Sequence, residues 1–250
     1  MDLGIEGRTA LVMAASRGIG KGIAGALARE GARVAISSRS EEALQATADE
    51  IEGQVTTFPA DTSDLDRMRA LPGEVAEALG PIEILVANTG GPPGGGALGS
   101  TVEEWDQAFR SLVLSLRVLI EEVLPGMLER GWGRIVNVSS SSIREPIPGL
   151  TLSNANRMAA VGLLKTLADE VAGDGITVNT VATGMFATDR LADSQGSLES
   201  AEAAAKERIP ARRLGQPDEY GDLVAFLCSE RAAYLTGAVI PLDGGLLRSV

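Results

Sequence analysis

RTALVMAASRGIGKGIAGALAREG, residues 8–31, joins an apolar run of strand length to a segment of helical period across a turn that holds Gly18 and Gly20. The run RTALVMA is apolar without alternation, the pattern of a strand covered on both faces. GKGIAGALAREG, residues 20–31, repeats its apolar residues at helical spacing. A strand that turns directly into a helix presents backbone N–H groups and the positive end of the helix dipole, and a pyrophosphate can bind there. A glycine pair in such a turn also serves close helix–strand packing, so the turn alone leaves both uses open.

The same alternation continues along the chain. Strand-length runs recur at 33–38 (RVAISS), 54–60 (QVTTFPA), 82–88 (IEILVAN), 133–140 (GRIVNVSS), 176–182 (ITVNTVA) and 238–243 (AVIPLD). Helical segments lie between them, among them 40–53, 101–124 and 150–170. Strands rich in Val, Ile and Leu, separated by helices, predict an α/β architecture with a parallel sheet covered on both faces. No shift in composition marks a linker, so residues 1–250 are read as one domain. GGPPGGG (90–96) is the one low-complexity segment, and the polar stretch 185–210 is expected to form a short helix and to serve as a lid.

Composition narrows the chemistry. The 22 basic and 34 acidic residues give a net charge of −12, which argues against a phosphate backbone or an anionic membrane as partner. The single cysteine, Cys228, has no internal disulfide partner, and neither a signal peptide nor a membrane-spanning run is apparent, so a soluble cytoplasmic protein is expected. Histidine is absent, which removes the commonest general base and a leading metal ligand, and no metal is expected. Lysine occurs only at 21, 165 and 206, and tyrosine only at 220 and 234. Both tyrosines are read as core residues of the C-terminal part.

Seven motifs stand in order: AASRGIG (14–20), PADTSD (59–64), VANTGG (86–91), GRIVNVSS (133–140), GITVNTVATGMFATD (175–189), RLGQPDEYGDLVAFLCSE (213–230) and YLTGAVIPLDGG (234–245). Through them the chain resembles the short-chain dehydrogenase/reductase family from residue 5 to 245, and within it the 3-oxoacyl-carrier-protein reductases. The resemblance implies a Rossmann-like, doubly wound, seven-stranded parallel sheet and a nicotinamide cofactor. Gly18, Ile19 and Gly20 would take the pyrophosphate. Ser16, Arg17, Ser38 and Arg39 stand where a ribose 2′-phosphate would lie, and no acidic residue ends the second strand to bind a free hydroxyl, so NADP(H) is favoured over NAD(H). Asp61 and Thr62 would border the adenine, Asn88 and Gly90 the ribose, and Thr188 the nicotinamide carboxamide. A helix cap, loop turns and solvated surface arginines are the alternative uses of these residues.

The chain also departs from the family pattern. Met13 and Ala14 replace its Thr-Gly, and Thr183 replaces the proline before Gly184. If position 14 needs a positive φ, alanine there costs on the order of 1 kcal/mol or more. Aligning KTLADE (165–170) with the family helix puts Ser153 where the catalytic tyrosine belongs and Arg157 where the lysine belongs. The same count places the active serine at Ser140 and the active-site asparagine at Leu112. A serine hydroxyl is a far weaker acid than a phenol, and an arginine with pKa above about 12 relays protons poorly. Arg157 could still hydrogen-bond a ribose. Arg144 and Glu145 would face the substrate mouth; an ion pair or solvated loop is favoured there over a Glu145 acid raised by burial.

Three uses of such a chain follow. One is an NADP(H)-dependent oxidoreductase of carbonyl compounds with a non-standard proton path. Another is an inactive cofactor-binding sensor or structural subunit, in a homotetramer or dimer of dimers through the helices at 101–125 and 153–172. The third is a cofactor-free lyase like the halohydrin dehalogenases, which share the fold and carry arginine for lysine; the retained Gly18 and Gly20 count against it.

Overall fold

The computed structural model describes residues 1–249. Its order is β1 (Thr9–Met13), α1 (Gly18–Arg29), β2 (Arg33–Ser37), α2 (Glu41–Glu50), β3 (Val55–Thr57), α3 (Leu65–Leu79), β4 (Ile82–Ala87), α4 (Val102–Phe109), α5 (Ser115–Arg130), β5 (Gly133–Val138), α6 (Thr151–Val171), β6 (Ile176–Thr183), α7 (Asp189–Gln195), α8 (Leu198–Arg208), α9 (Pro217–Leu227) and β7 (Val239–Leu242). The strands form one sheet in the order β3-β2-β1-β4-β5-β6-β7, and every neighbouring pair is parallel. No helix among the described residues is long and apolar enough to cross a membrane.

Successive side chains of a strand point to opposite faces, and β1 shows the result. Leu11 and Met13 join the core under α3, α5 and α6, with Met68, Leu71, Leu116 and Leu164. Ala10 and Val12 join the core under α1, α2 and α9, with Ile23, Leu27, Leu44 and Val224. Both faces are dry, so the strand must be apolar at every position. Because the order reverses direction between β1 and β4, their C-terminal ends diverge and open a crevice, the place where doubly wound sheets bind ligands.

Two features depart from the sequence reading. The helix expected over 101–124 is interrupted by a π-helical turn at Arg110–Leu114, which separates α4 from α5. Within 185–210 there are two helices, α7 and α8, rather than one. A hydroxyl cap starts each of the two: Thr188 accepts from the N–H of Leu191, and Ser197 from that of Ser200.

Glycine sets how closely the helices approach. A Cβ at Gly20 would collide with the carbonyl of Ala14, and one at Gly221 with the carbonyl of Gly22 and, at 2.9 Å, with the Cβ of Ala26. Thus α1 sits directly on the β1 turn and α9 directly on α1. Gly25, also in α1, faces open space. Ala14 itself has φ +49°, a left-handed conformation that favours glycine.

Gly221→Ala is expected to destabilise by about 1–3 kcal/mol through overpacking, whereas Gly25→Ala should raise the melting temperature, read by thermal denaturation of both variants. Ala14→Gly should stabilise by about 1 kcal/mol by relieving the positive φ, a rise of roughly 2–4 °C in a domain of this size; an unchanged or lower melting temperature would show that the alanine is not strained.

Candidate active site

The turn after β1 ends in a helix that differs from its neighbours. The side chains of Ser40, Asp64 and Thr101 cap α2, α3 and α4, and acidic residues fill the first turns of all three. At α1 no side chain caps the N-terminus and no acidic residue lies in the first turn. Its leading N–H groups and its dipole therefore face outward without an internal anion. Gly18 takes φ +55°, and a Cβ there would lie 3.2 Å from the methyl of Thr188. Ile19 packs into the core beside α9, and the Ser16 carbonyl accepts from Thr47 Oγ1 at 2.8 Å, which fixes the turn against α2.

The expected cofactor residues gather along this crevice. Asn88 Nδ2 donates to the Ala14 carbonyl at 3.3 Å and ties the end of β4 to the β1 turn. A Cβ at Gly90 would meet nothing within 4 Å. Ser38, just past β2, has a buried Oγ with no partner, while Arg39 is exposed and forms no ion pair among the described residues. Arg17 pairs with Asp189 at 3.4 Å, both side chains being mostly exposed, so the contact is worth little. Asp61 does cap a turn, accepting from the N–H and Oγ of Ser63, and Thr62 lines the cleft. An orphaned hydroxyl, an uncapped helix start and an open space above Gly90 fit a dinucleotide; the turn strained at Ala14 is the one feature that weighs against tight binding.

At the C-terminal end of β5, Ser153 and Arg157, the two residues expected at the catalytic positions, come together. Arg157 Nε donates to Ser153 Oγ at 3.2 Å, and its Nη1 donates to the Val138 carbonyl at 3.0 Å. One helical turn separates the two residues on α6, so the bond is a local one. Desolvation, followed by the repulsion of Arg190, lowers the Arg157 pKa to about 10, which leaves it cationic at neutral pH. Ser140 Oγ accepts from the Ser142 N–H at 3.1 Å, leaving its own hydrogen free to donate.

A small cleft opens in front of Arg157. Its polar wall includes Asn88, Ser115, Asn137 and Ser139, and its apolar wall includes Met13, Leu112, Leu116 and Leu119. Leu112 is buried there, in the π-helical turn, and Ser115 Oγ donates to the Ser111 carbonyl at 2.7 Å. Ser139, not Ser140, presents a buried hydroxyl without a partner. Sequence reading missed Ser115, Asn137, Ser139 and Arg190. A signal existed for two of them, since Asn137 and Ser139 are the polar residues that interrupt GRIVNVSS at alternate positions.

The remaining candidates lie elsewhere. Tyr220 is fully buried; its hydroxyl shares a hydrogen bond with Thr183 Oγ1 at 2.9 Å, and burial pushes its pKa far up, so it holds its proton. Tyr234 is fully exposed, which corrects its reading as a core residue: it follows the short turn Glu230–Ala232 at the surface. Glu145 accepts from the N–H groups of Ser249 and Arg248, both at 2.8 Å, and these bonds hold its carboxyl below the usual range. It clamps the C-terminal tail and is not a raised acid. Arg144 donates to the Val239 carbonyl rather than to a carboxylate.

Comparison with known proteins gives a consistent answer. A family model described as Enoyl-(Acyl carrier protein) reductase matches residues 13–247. The chain is 34% identical over 244 residues to the 3-oxoacyl-[acyl-carrier-protein] reductase FabG of Vibrio cholerae, covering 98% of this chain and 99% of that protein. It is 34% identical over 245 residues to dehydrogenase/reductase SDR family member 4 of Homo sapiens, covering 96% and 88%. Among solved structures, L-sorbose reductase from Gluconobacter frateurii complexed with NADPH and L-sorbose superposes with a TM-score of 0.93 at 29% identity over the whole of both chains. A variant of actinorhodin polyketide ketoreductase with NADPH gives 0.91 at 33% identity, covering 96% and 97%. With the parallel sheet, its crevice and these relatives in agreement, the chain belongs to the short-chain dehydrogenase/reductase family of oxidoreductases.

Proposed function

We propose that the chain is an NADP(H)-binding oxidoreductase of carbonyl compounds whose proton reaches the product oxygen by a path without tyrosine. The observation that carries the cofactor part is the orphaned Ser38 Oγ beside the unpaired Arg39, at the end of β2 and next to the uncapped start of α1. Ser16, Arg17, Ser38 and Arg39 hold the 2′-phosphate, and Arg17 gives up only a weak surface pair with Asp189 to do so. The amides of Gly18, Ile19 and Gly20 hold the pyrophosphate. Asp61 and Thr62 flank the adenine, Asn88 and Gly90 the ribose, and Thr188 the carboxamide. The relatives solved with NADPH support this preference over NAD(H). When bound, the reduced nicotinamide supplies a hydride.

The proton cannot come readily from Ser153 or Arg157. Ser153 Oγ already accepts from Arg157 Nε, and a serine hydroxyl is too weak an acid to replace a phenol. The guanidinium stays protonated near neutrality. Water in the cleft, held between Arg157, Ser139 and Asn137, donates to the product oxygen and regains its proton from bulk solvent, while the free hydrogen of Ser140 Oγ orients the substrate carbonyl. The segment 185–210 closes over the substrate, and exposed Val102, Phe109 and Met158 on α4 and α6 support assembly into a homotetramer or dimer of dimers. A second reading, a cofactor-binding subunit without turnover, is favoured by the same Ser153–Arg157 bond.

Fluorescence titration should show NADPH binding at least about tenfold tighter than NADH, and Arg39→Ala should remove most of that preference, since a charge-assisted bond contributes about 1.5–3 kcal/mol. Binding of neither nucleotide overturns the proposal. The double change Ser153→Tyr with Arg157→Lys should raise 3-oxoacyl reduction by about 10²–10⁴-fold if proton donation limits the native chain; no gain would place the limit in the shape of the pocket.

A further inference from the structure

The lid segment has a small core of its own. Ala201, Ala205, Ile209 and Leu214 are buried together in a cluster separate from the two cores that flank the sheet. Every apolar residue in this cluster or packed against it lies within 185–214, except Leu246 of the C-terminal tail. A few small side chains bury little apolar area, so such a segment opens more readily than the sheet does. How firmly it stays shut therefore depends on what the tail adds from outside.

The tail is fastened along its whole path. After β7 the Asp243 carboxylate accepts from the N–H groups of Gly245 and Leu247, both at 2.8 Å, and turns the chain. Gly244 has φ +66°, and a Cβ there would fall 2.8 Å from Ile209 Cγ2, so the turn lies directly on the end of α8. The Gly244 carbonyl accepts from the Ala211 N–H at 3.0 Å. Leu246 then enters the lid cluster, and the N–H groups of Arg248 and Ser249 both reach Glu145 Oε1 at 2.8 Å. Glu145 stands in the loop between β5 and α6, the loop that carries Ser140 and leads into Ser153. Arg144 ties that loop to the sheet edge, its Nη2 donating to the Val239 carbonyl at 3.2 Å. An ionised carboxylate only accepts, and its bonds to N–H groups are stronger than those of a neutral acceptor. The tail thus bridges the two sides of the mouth, from the lid cluster to the β5–α6 loop.

We propose that residues 243–249 form a strap that holds the lid over the active site, and that Glu145 is the positioning residue to which the strap is fastened. The lid opens when the two amides leave the carboxylate. That this lid covers a substrate rests on the oxidoreductase reading above, but the strap is tested with neither substrate nor cofactor present. Hydrogen exchange read by mass spectrometry on the full chain follows the lid at 189–208, with α3 as internal reference. Glu145→Ala should speed exchange in the lid by about tenfold and leave α3 unchanged, because the bonds it removes govern a local opening. Glu145→Gln, which keeps an acceptor oxygen, should retain most of the protection. Deletion of residues 248–250 should match Glu145→Ala, and combining the two should add nothing, because both remove the same fastening. Unchanged lid exchange in Glu145→Ala and in the deletion overturns the proposal. So does an additive effect in the combination, or an equal rise in α3, which would make Glu145 a general stabilising residue. The expected exchange pattern in a protein that binds no nucleotide would sustain the strap while overturning the cofactor reading.

Discussion

The contact between the Ala14 carbonyl and the bare Cα of Gly20 is the constraint on which the rest of the molecule depends. Because position 20 has no side chain, α1 can start directly against the end of β1. That approach aims the uncapped end of α1 along the crevice between β1 and β4. It also sets the height of α1 above the sheet, and α9 then seats on α1 through Gly22 and Gly221. One layer of the fold and one wall of the site are thus positioned together. The strain at Ala14 lies at the same turn, so its relief and the geometry of the turn are coupled.

Around Ser153 and Arg157 the surroundings are governed by charge rather than by acidity. Ser153 and Arg157 lie one turn apart and hydrogen-bonded, and the pair offers a cation and an aliphatic hydroxyl but no phenol. Tyr220 cannot take over, because it is buried and its hydroxyl is engaged with Thr183. Glu145 cannot either, because its carboxylate is fixed in the charged form by the tail amides. What the cleft retains is hydrogen-bonding capacity: the side chains of Asn88, Ser115, Asn137 and Ser139 and the fixed guanidinium of Arg157. Such a surface holds water and anions well and releases protons poorly.

Helix α7 links the two halves of the crevice. Asp189 reaches Arg17 on the side of the β1 turn and Arg190 reaches Gly91 on the β4 side, from adjacent positions of one short helix. Both contacts are easily exchanged, the first because it is exposed and the second because a carbonyl is a neutral acceptor for a cation. The segment is therefore held across the opening by bonds that a charged ligand can replace.

Much of this was legible in the residues. The seven strands fall where continuous apolar runs stand, because a strand covered on both faces leaves no position for polar side chains. The juxtaposition of Ser153 and Arg157 one turn apart was likewise visible, since a helix without insertions fixes spacing. The π-helical turn at Arg110–Leu114 was not, because one extra residue in a helical turn leaves the apolar period nearly unchanged. Tyr234 was misplaced because an aromatic residue beside an apolar run reads as core until the path of the turn is known. Above all, the sequence by itself determined which charges the chain carries, and only the tertiary structure decided which of them go unpaired. Ion pairing depends on distances between residues remote in the chain, such as Arg17 with Asp189 and Arg8 with Glu83, and no local period encodes them.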